Sequence, residues 1–130
     1  TSYSNYGSNI DILAPGGDSD IGILSLDLLK SDGYNPSSTL SINGNNLVNE
    51  NYSFISGTSF SAPTVSGVIA LMLSENQNLT FDEIRNILIT TTQQVGLENQ
   101  ADYSVNNFDT KRAYGKIDAT KAIEGAIDAL

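Results

Sequence analysis

The chain has 130 residues, with 6 Lys and Arg against 15 Asp and Glu, so its formal net charge is −9. That length fits one domain or a piece of a larger one, and the acidic excess disfavours nucleic acid and anionic membrane surfaces as partners. The chain also has no cysteine and no histidine, which excludes thiol chemistry and means that any imidazole base must come from elsewhere.

The first half of the chain predicts two strands separated by a long polar segment. Polar and apolar side chains alternate over residues 9–12, residues 12–14 are all apolar, and a Pro-Gly-Gly turn follows. This pattern is typical of a short strand. Residues 18–51 are rich in Asp, Asn, Ser and Gly and predict loop and hairpin structure, with a further strand at residues 21–26. Residues 52–55 predict a compact strand that runs directly into Ser56.

The second half predicts three helices. Residues 59–74 are apolar or small at almost every position, so a helix here has no polar face and is expected to lie inside a protein. Thr80–Glu83 matches a capping box and begins an amphipathic helix that ends near residue 91. Polar residues 92–110 predict a surface loop, and Asp118 is expected to cap a last helix.

The junction between the second strand and the first helix carries a chemical motif, Gly57-Thr58-Ser59-Phe60-Ser61-Ala62-Pro63. A serine on the first turn of a helix lies beside backbone N–H groups without intrahelical partners and at the positive end of the helix dipole. These groups stabilise a carbonyl oxygen that becomes negatively charged. Gly57 permits the tight turn from strand to helix that this arrangement needs.

This motif closely resembles the signature around the nucleophile of subtilisin-like (S8 family) serine proteases. Segments from Tyr3 to Gly16 and from Ala113 to Ala119 resemble the same family in the same order, so the resemblance covers most of the chain. It implies an α/β, three-layer subtilisin-like fold with a mainly parallel sheet between helices. Residues 1–130 are then expected to form the C-terminal portion of a subtilisin-like peptidase domain.

The resemblance implies a secreted or cell-surface serine endopeptidase that hydrolyses polypeptides through an acyl-enzyme on Ser59. The Ser59 N–H is then one oxyanion donor, and Thr58 and Gly57 support the nucleophile and the oxyanion hole. The family supplies its catalytic Asp and His and its oxyanion Asn from segments that precede the part resembled here, and none of them is present. The isolated chain is therefore expected to be inactive, with the upstream portion of the same protease domain as its partner.

Two alternatives stay open. The chain is also compatible with a fragment of a sedolisin-type serine-carboxyl peptidase, in which a glutamate is the base, although the segment Ala113–Ala119 favours the subtilisin type. A catalytically inactive subtilase-like binding or structural domain is the other alternative. The intact Gly57, Thr58 and Ser59 argue against it, because a decaying site is expected to lose its serine first.

No cofactor is required for the expected chemistry. Asp18-Ser19-Asp20 places carboxylates at alternate positions, as part of a calcium loop does, and relatives of this kind often bind structural calcium. The remaining oxygen ligands of a known loop are missing, so a polar turn is the favoured interpretation. No apolar run approaches the roughly 20 residues that cross a bilayer, and no membrane contact is expected.

Overall fold

The computed structural model describes residues 2–18, 21–29, 32–35, 39–42, 45–48, 51–96 and 106–130. The backbone divides into two compact units. We call Thr1–Ala14 with Ser61–Leu130 the helical unit, and Pro15–Phe60 the strand unit. No helix in these described ranges has the length and apolar character needed to cross a membrane.

The strand unit contains two antiparallel pairs of strands, which are β1 (Ile23–Leu26), β2 (Thr39–Ile42), β3 (Asn45–Val48) and β4 (Tyr52–Ile55). β1 pairs with β4 in a register that sets Ile23 opposite Ile55, and β2 pairs with β3. The strands predicted at residues 21–26 and 52–55 are confirmed, the first of them shorter by two residues. The hairpin predicted within residues 18–51 is the β2–β3 pair.

One face of the β1–β4 pair is apolar and exposed. Leu24 lies opposite Phe54, and Leu26 lies opposite Tyr52, and all four side chains are exposed. The other face carries Ser53, which is buried. This alternation follows from the two-residue period of a strand.

The helical unit contains three helices, which are α1 (Ser61–Glu75), α2 (Phe81–Thr90) and α3 (Ala119–Asp128). α1 and α2 both pack against α3. The buried core consists of one cluster of apolar side chains: Val68, Met72, Leu79, Leu88, Ala122 and Ala126. The small alanines of α3 let it lie close to α1, and a Cβ added at Gly125 would come within 2.8 Å of Cγ2 of Ile87 on α2. Small residues therefore set how closely the three helices pack.

The predicted helix caps are confirmed. The Thr80 N–H donates to Oε2 of Glu83 at 2.8 Å, and the Glu83 N–H donates to Oγ1 of Thr80 at 3.3 Å, which completes the capping box of α2. Oδ1 of Asp118 accepts from the Lys121 N–H at 3.1 Å at the start of α3. Both caps depend on residues within one turn of each other, which is why the sequence alone predicts them.

The strand predicted over residues 9–14 is wrong. The structure has a single parallel bridge there, between Leu13 and Lys116. Leu13 donates to the Gly115 carbonyl and accepts from the Ile117 N–H, both at 2.8 Å. The Tyr114 N–H also donates to the Asp11 carbonyl at 3.1 Å, on the other side of Gly115, whose φ is +134°, but neither segment extends this pairing into a strand.

The first helix, whose composition predicts a place inside a protein, is not buried on all sides in the described structure. α1 begins at Ser61 rather than Ser59 and buries only Val68 and Met72. Leu71 is 51% exposed, and a Cβ added at Gly67 would have no neighbour within 4 Å. The helix packs against α3 on one side, and its small-residue side carries the exposed residues Ala62, Ser66, Gly67 and Ala70.

Candidate active site

The first four residues of the motif predicted to carry the nucleophile, Gly57–Phe60, form a tight turn in the strand unit, one residue after β4 ends. Gly57 has a φ of +156°, a conformation that residues with a side chain rarely adopt. Thr58–Phe60 form a single 3₁₀ turn, in which the Phe60 N–H donates to the Gly57 carbonyl at 3.0 Å. The strand-to-helix turn expected at Gly57 is thus present, and its first turn is 3₁₀ rather than α-helical.

Ser59 lies exposed on this turn, as does Thr58, while Gly57 is half-buried. The Ser59 hydroxyl forms no hydrogen bond to any residue that the structure describes. A hydroxyl in this position is accessible to a base and to a carbonyl substrate, which a nucleophile requires.

The segment Pro15–Asp18 runs beside the residues that enter this turn. The Gly57 N–H donates to the Gly16 carbonyl at 2.7 Å, and Oγ of Ser56 donates to the Asp18 carbonyl at 2.5 Å. Sequence reasoning does not single out Ser56. The paired glycines after Pro15 are the signal that could have found it, because a glycine often marks a close approach of the backbone to a neighbour.

Asp18 closes a local turn in the described residues. Its Oδ1 accepts from the Ile21 N–H at 2.8 Å, and its own N–H donates to the Ile21 carbonyl at 2.9 Å. This geometry agrees with the polar-turn interpretation of Asp18-Ser19-Asp20, whose other two residues lie outside the described ranges. Across those ranges no three His, Cys, Asp or Glu side chains converge as a metal site would require.

Asp27 anchors the loop after β1. Desolvation acts to raise the pKa of this carboxyl, but hydrogen bonds from the backbone of Tyr34, Asn35 and Leu28 outweigh it and lower the pKa below its usual value. The Leu28 and Asn35 N–H groups donate to its two oxygens, each at 2.8 Å. Because both oxygens are engaged in the loop, Asp27 stabilises local structure and is not placed to act as a base.

Comparison with known proteins relates this geometry to one family. Residues 1–118 match the model described as the subtilase family. The chain is 34% identical over 122 residues to halolysin from Haloferax mediterranei, which covers 94% of this chain and 17% of halolysin. It is 32% identical over 134 residues to a calcium-dependent protease from a Nostoc species, covering 99% of this chain and 20% of that protein.

Comparison of the structure with solved structures also finds a protease. A solved protease structure from Pseudoalteromonas arctica matches with a TM-score of 0.61 and 34% sequence identity, over 95% of this chain and 31% of that one. The chain therefore spans a fifth or less of these two curated relatives and under a third of the solved structure.

Proposed function

The chain belongs to the subtilase family of serine proteases, and we propose that Ser59 is the nucleophile of a serine endopeptidase. Its fold class is the α/β subtilisin-like class predicted from the sequence, and the strands that the structure describes form antiparallel pairs rather than a mainly parallel sheet. We propose further that residues 1–130 form the C-terminal portion of the catalytic domain. The observation that carries the proposal is the exposed Ser59 on a tight glycine turn one residue after β4 ends.

The proposed reaction proceeds through an acyl-enzyme. The Ser59 oxygen attacks the carbonyl carbon of the scissile peptide bond while a base takes the hydroxyl proton. The carbonyl oxygen becomes an oxyanion, which the Ser59 N–H stabilises, with Thr58 and Gly57 holding the turn in shape. The amine leaves after it receives the proton from the base, and water then hydrolyses the ester on Ser59.

The base must come from outside this chain, which contains no histidine. In subtilisin-like proteases the nucleophile segment follows the catalytic Asp, the catalytic His and the oxyanion Asn along the chain. We assign these three roles to the upstream portion of the same domain. A neutral serine hydroxyl without a positioned base is a weak nucleophile. The isolated chain is therefore expected to be inactive.

The helical unit offers a surface for that upstream portion. A groove of about 240 Å³ between α1 and α2 has an apolar lining, which consists of Ile12, Val65, Ile69, Phe81, Ile84, Leu88 and Ile89. Asp11 and Arg85 form an ion pair at its edge, and Phe81 is 76% exposed. Since more than two thirds of the matched Pseudoalteromonas structure has no counterpart here, we propose that an apolar segment of the upstream portion fills this groove.

The proposed substrate is a polypeptide, and the chemistry needs no cofactor. We propose that Asp18-Ser19-Asp20 is a polar turn rather than a structural calcium site. One relative is named a calcium-dependent protease, and calcium titration of the full-length protein followed by thermal unfolding tests the idea. We also propose that the protein is secreted or at the cell surface, as the family resemblance implies.

The nucleophile is tested with a fluorophosphonate probe and casein hydrolysis on the full-length protein that contains this chain. Ser59→Ala is expected to abolish both labelling and hydrolysis. Ser74→Ala is the matched control, because Ser74 is also an exposed serine, with its hydroxyl bonded to the Leu71 carbonyl, and it should leave both unchanged. A catalytically inactive domain predicts no labelling of the unmodified protein, and a sedolisin-type enzyme predicts activity only at acidic pH.

A further inference from the structure

We propose that Ser56 is a positioning residue for the Ser59 turn, acting through a hydrogen bond to the segment Gly16–Asp18. This inference rests on the proposed function, because it assumes that Ser59 is the nucleophile. Ser56 stands three residues before Ser59 and is itself exposed. Its assigned role is to fix where the turn begins, without touching the substrate.

The first observation is a pair of successive hydrogen bonds to one segment. Oγ of Ser56 donates to the Asp18 carbonyl at 2.5 Å, and the next backbone N–H, that of Gly57, donates to the Gly16 carbonyl at 2.7 Å. Ser56 and Gly57, which are consecutive at the start of the turn, thus bind the carbonyls of Asp18 and Gly16. Two such bonds restrain the direction of the chain, which a single bond does not.

The second observation is the close fit around Gly17, which lies between those two carbonyls. Gly17 has a φ of +75°, and a Cβ added there would lie 2.7 Å from Oγ of Ser56 and 2.9 Å from the Ile21 carbonyl oxygen. Real side chains do not tolerate such distances. The Ser56 hydroxyl can therefore reach the Asp18 carbonyl only because residue 17 has no side chain.

The receiving segment is itself anchored within the strand unit. Asp18 and Ile21 exchange two hydrogen bonds, at 2.8 and 2.9 Å. The next residue, Gly22, lies so close to β4 that an added Cβ would be 2.9 Å from Cβ of Phe54. Ser56 is thus fastened to a turn that packs against the same strand from which the Ser59 turn emerges.

These contacts predict an effect on the reaction rather than on stability. A hydroxyl on an exposed residue adds little to the free energy of unfolding, because water replaces the lost partner. The orientation of a nucleophile is much more demanding, since small displacements of reacting groups cost large factors in rate. Loss of the Ser56 hydroxyl should therefore lower kcat while KM and Tm change little.

The test uses the full-length protein and measures kcat, KM, Tm and the rate of fluorophosphonate labelling. Ser56→Ala is expected to lower kcat and the labelling rate about tenfold, as loss of one oriented hydrogen bond predicts. Ser56→Thr keeps a hydroxyl and should restore most of the rate. Ser56→Cys keeps the shape but donates weakly, so it should be as slow as the alanine variant, and it substitutes for that variant if alanine prevents folding.

Ser74→Ala is the matched control, since it removes an exposed hydroxyl bonded to a carbonyl at 2.6 Å on α1, and it should leave every parameter unchanged. The inference is overturned if Ser56→Ala reacts at the unmodified rate, or if Ser56→Thr is as slow as Ser56→Ala. It is also overturned if the rate falls only in proportion to a lowered Tm. The proposed function fails separately, by continued labelling of Ser59→Ala.

Discussion

Arg85 on α2 and Asp11 form a two-point ion pair, in which Nη2 lies 2.6 Å from Oδ1 and Nε lies 3.0 Å from Oδ2. The hydrogen bond to Asp11, together with the negative charge of that carboxylate, raises the pKa of Arg85 above its usual value. Asp11 stands two residues before the parallel bridge at Leu13. The pair therefore fastens the N-terminal segment of the helical unit to α2.

We expect this ion pair to contribute only modestly to the free energy of unfolding, because the two side chains are 49% and 43% exposed. In a double-mutant cycle of Arg85→Ala and Asp11→Asn, the coupling free energy should be small, because water and salt screen an exposed pair. Arg85→Lys, which keeps the charge but loses the two-point geometry, should remove most of it. Urea unfolding measures the coupling. Coupling that does not weaken when salt is raised to about 1 M would contradict an exposed pair.

The capping box of α2 predicts a pH dependence. Hydrogen bonds from the Thr80 backbone and hydroxyl lower the pKa of Glu83, against a smaller opposing effect of desolvation. The folded pKa is thus below the unfolded one, so the contribution is complete above an unfolded pKa of about 4.3 and is lost as the pH falls through the folded pKa.

Glu83→Gln should therefore destabilise the chain at neutral pH and lose that effect at a pH well below the folded pKa, where the carboxyl is protonated in both states. Thr80→Ala, which removes the capping hydroxyl, should cost about 1 kcal/mol at neutral pH. Chemical unfolding at the two pH values measures both effects. A destabilisation by Glu83→Gln that grows as the pH falls would contradict this account.

Two glycines should respond in opposite directions to the same substitution. Gly115→Ala forces a residue with a side chain into a φ of +134° and brings its Cβ to 2.6 Å from the Gln93 carbonyl oxygen. It should destabilise the chain by about 2 kcal/mol or more. Gly67→Ala lies in the interior of α1 with no neighbour within 4 Å, and should stabilise the isolated chain by up to about 1 kcal/mol. Equal shifts in the urea midpoint would contradict this account.

What the sequence predicts correctly here is mostly local. The caps at Thr80 and Asp118 depend on partners three residues away. The prediction of a strand over residues 9–14 is wrong because pairing there depends on a partner about 100 residues later, at Lys116. The contact of Ser56 with Asp18 spans 38 residues, and a pattern of polar and apolar residues cannot predict a contact over that distance. The apolar character of α1 is read correctly from its residues, but which of its sides is covered depends on elements packed against it.

The exposed groove of the helical unit predicts self-association of the isolated chain. Apolar surface of this kind is normally covered in a monomer, and Phe81 at its edge is 76% exposed. Sedimentation velocity should show reversible association that Phe81→Ser reduces. Leu130→Ser is the control, because Leu130 is 81% exposed but does not line the groove. A monomer at every concentration would contradict the prediction.

The central claim is that Ser59 supplies the nucleophile and that the upstream portion of the domain supplies its base. The most direct measurement is fluorophosphonate labelling of the 130-residue chain, alone and mixed with that upstream portion. The chain alone should show no labelling, because removing the base leaves only a small residual reactivity. Mixing should restore labelling, and Ser59→Ala should abolish it. Casein cleavage by the chain alone that persists in Ser59→Ala would contradict both parts of the claim.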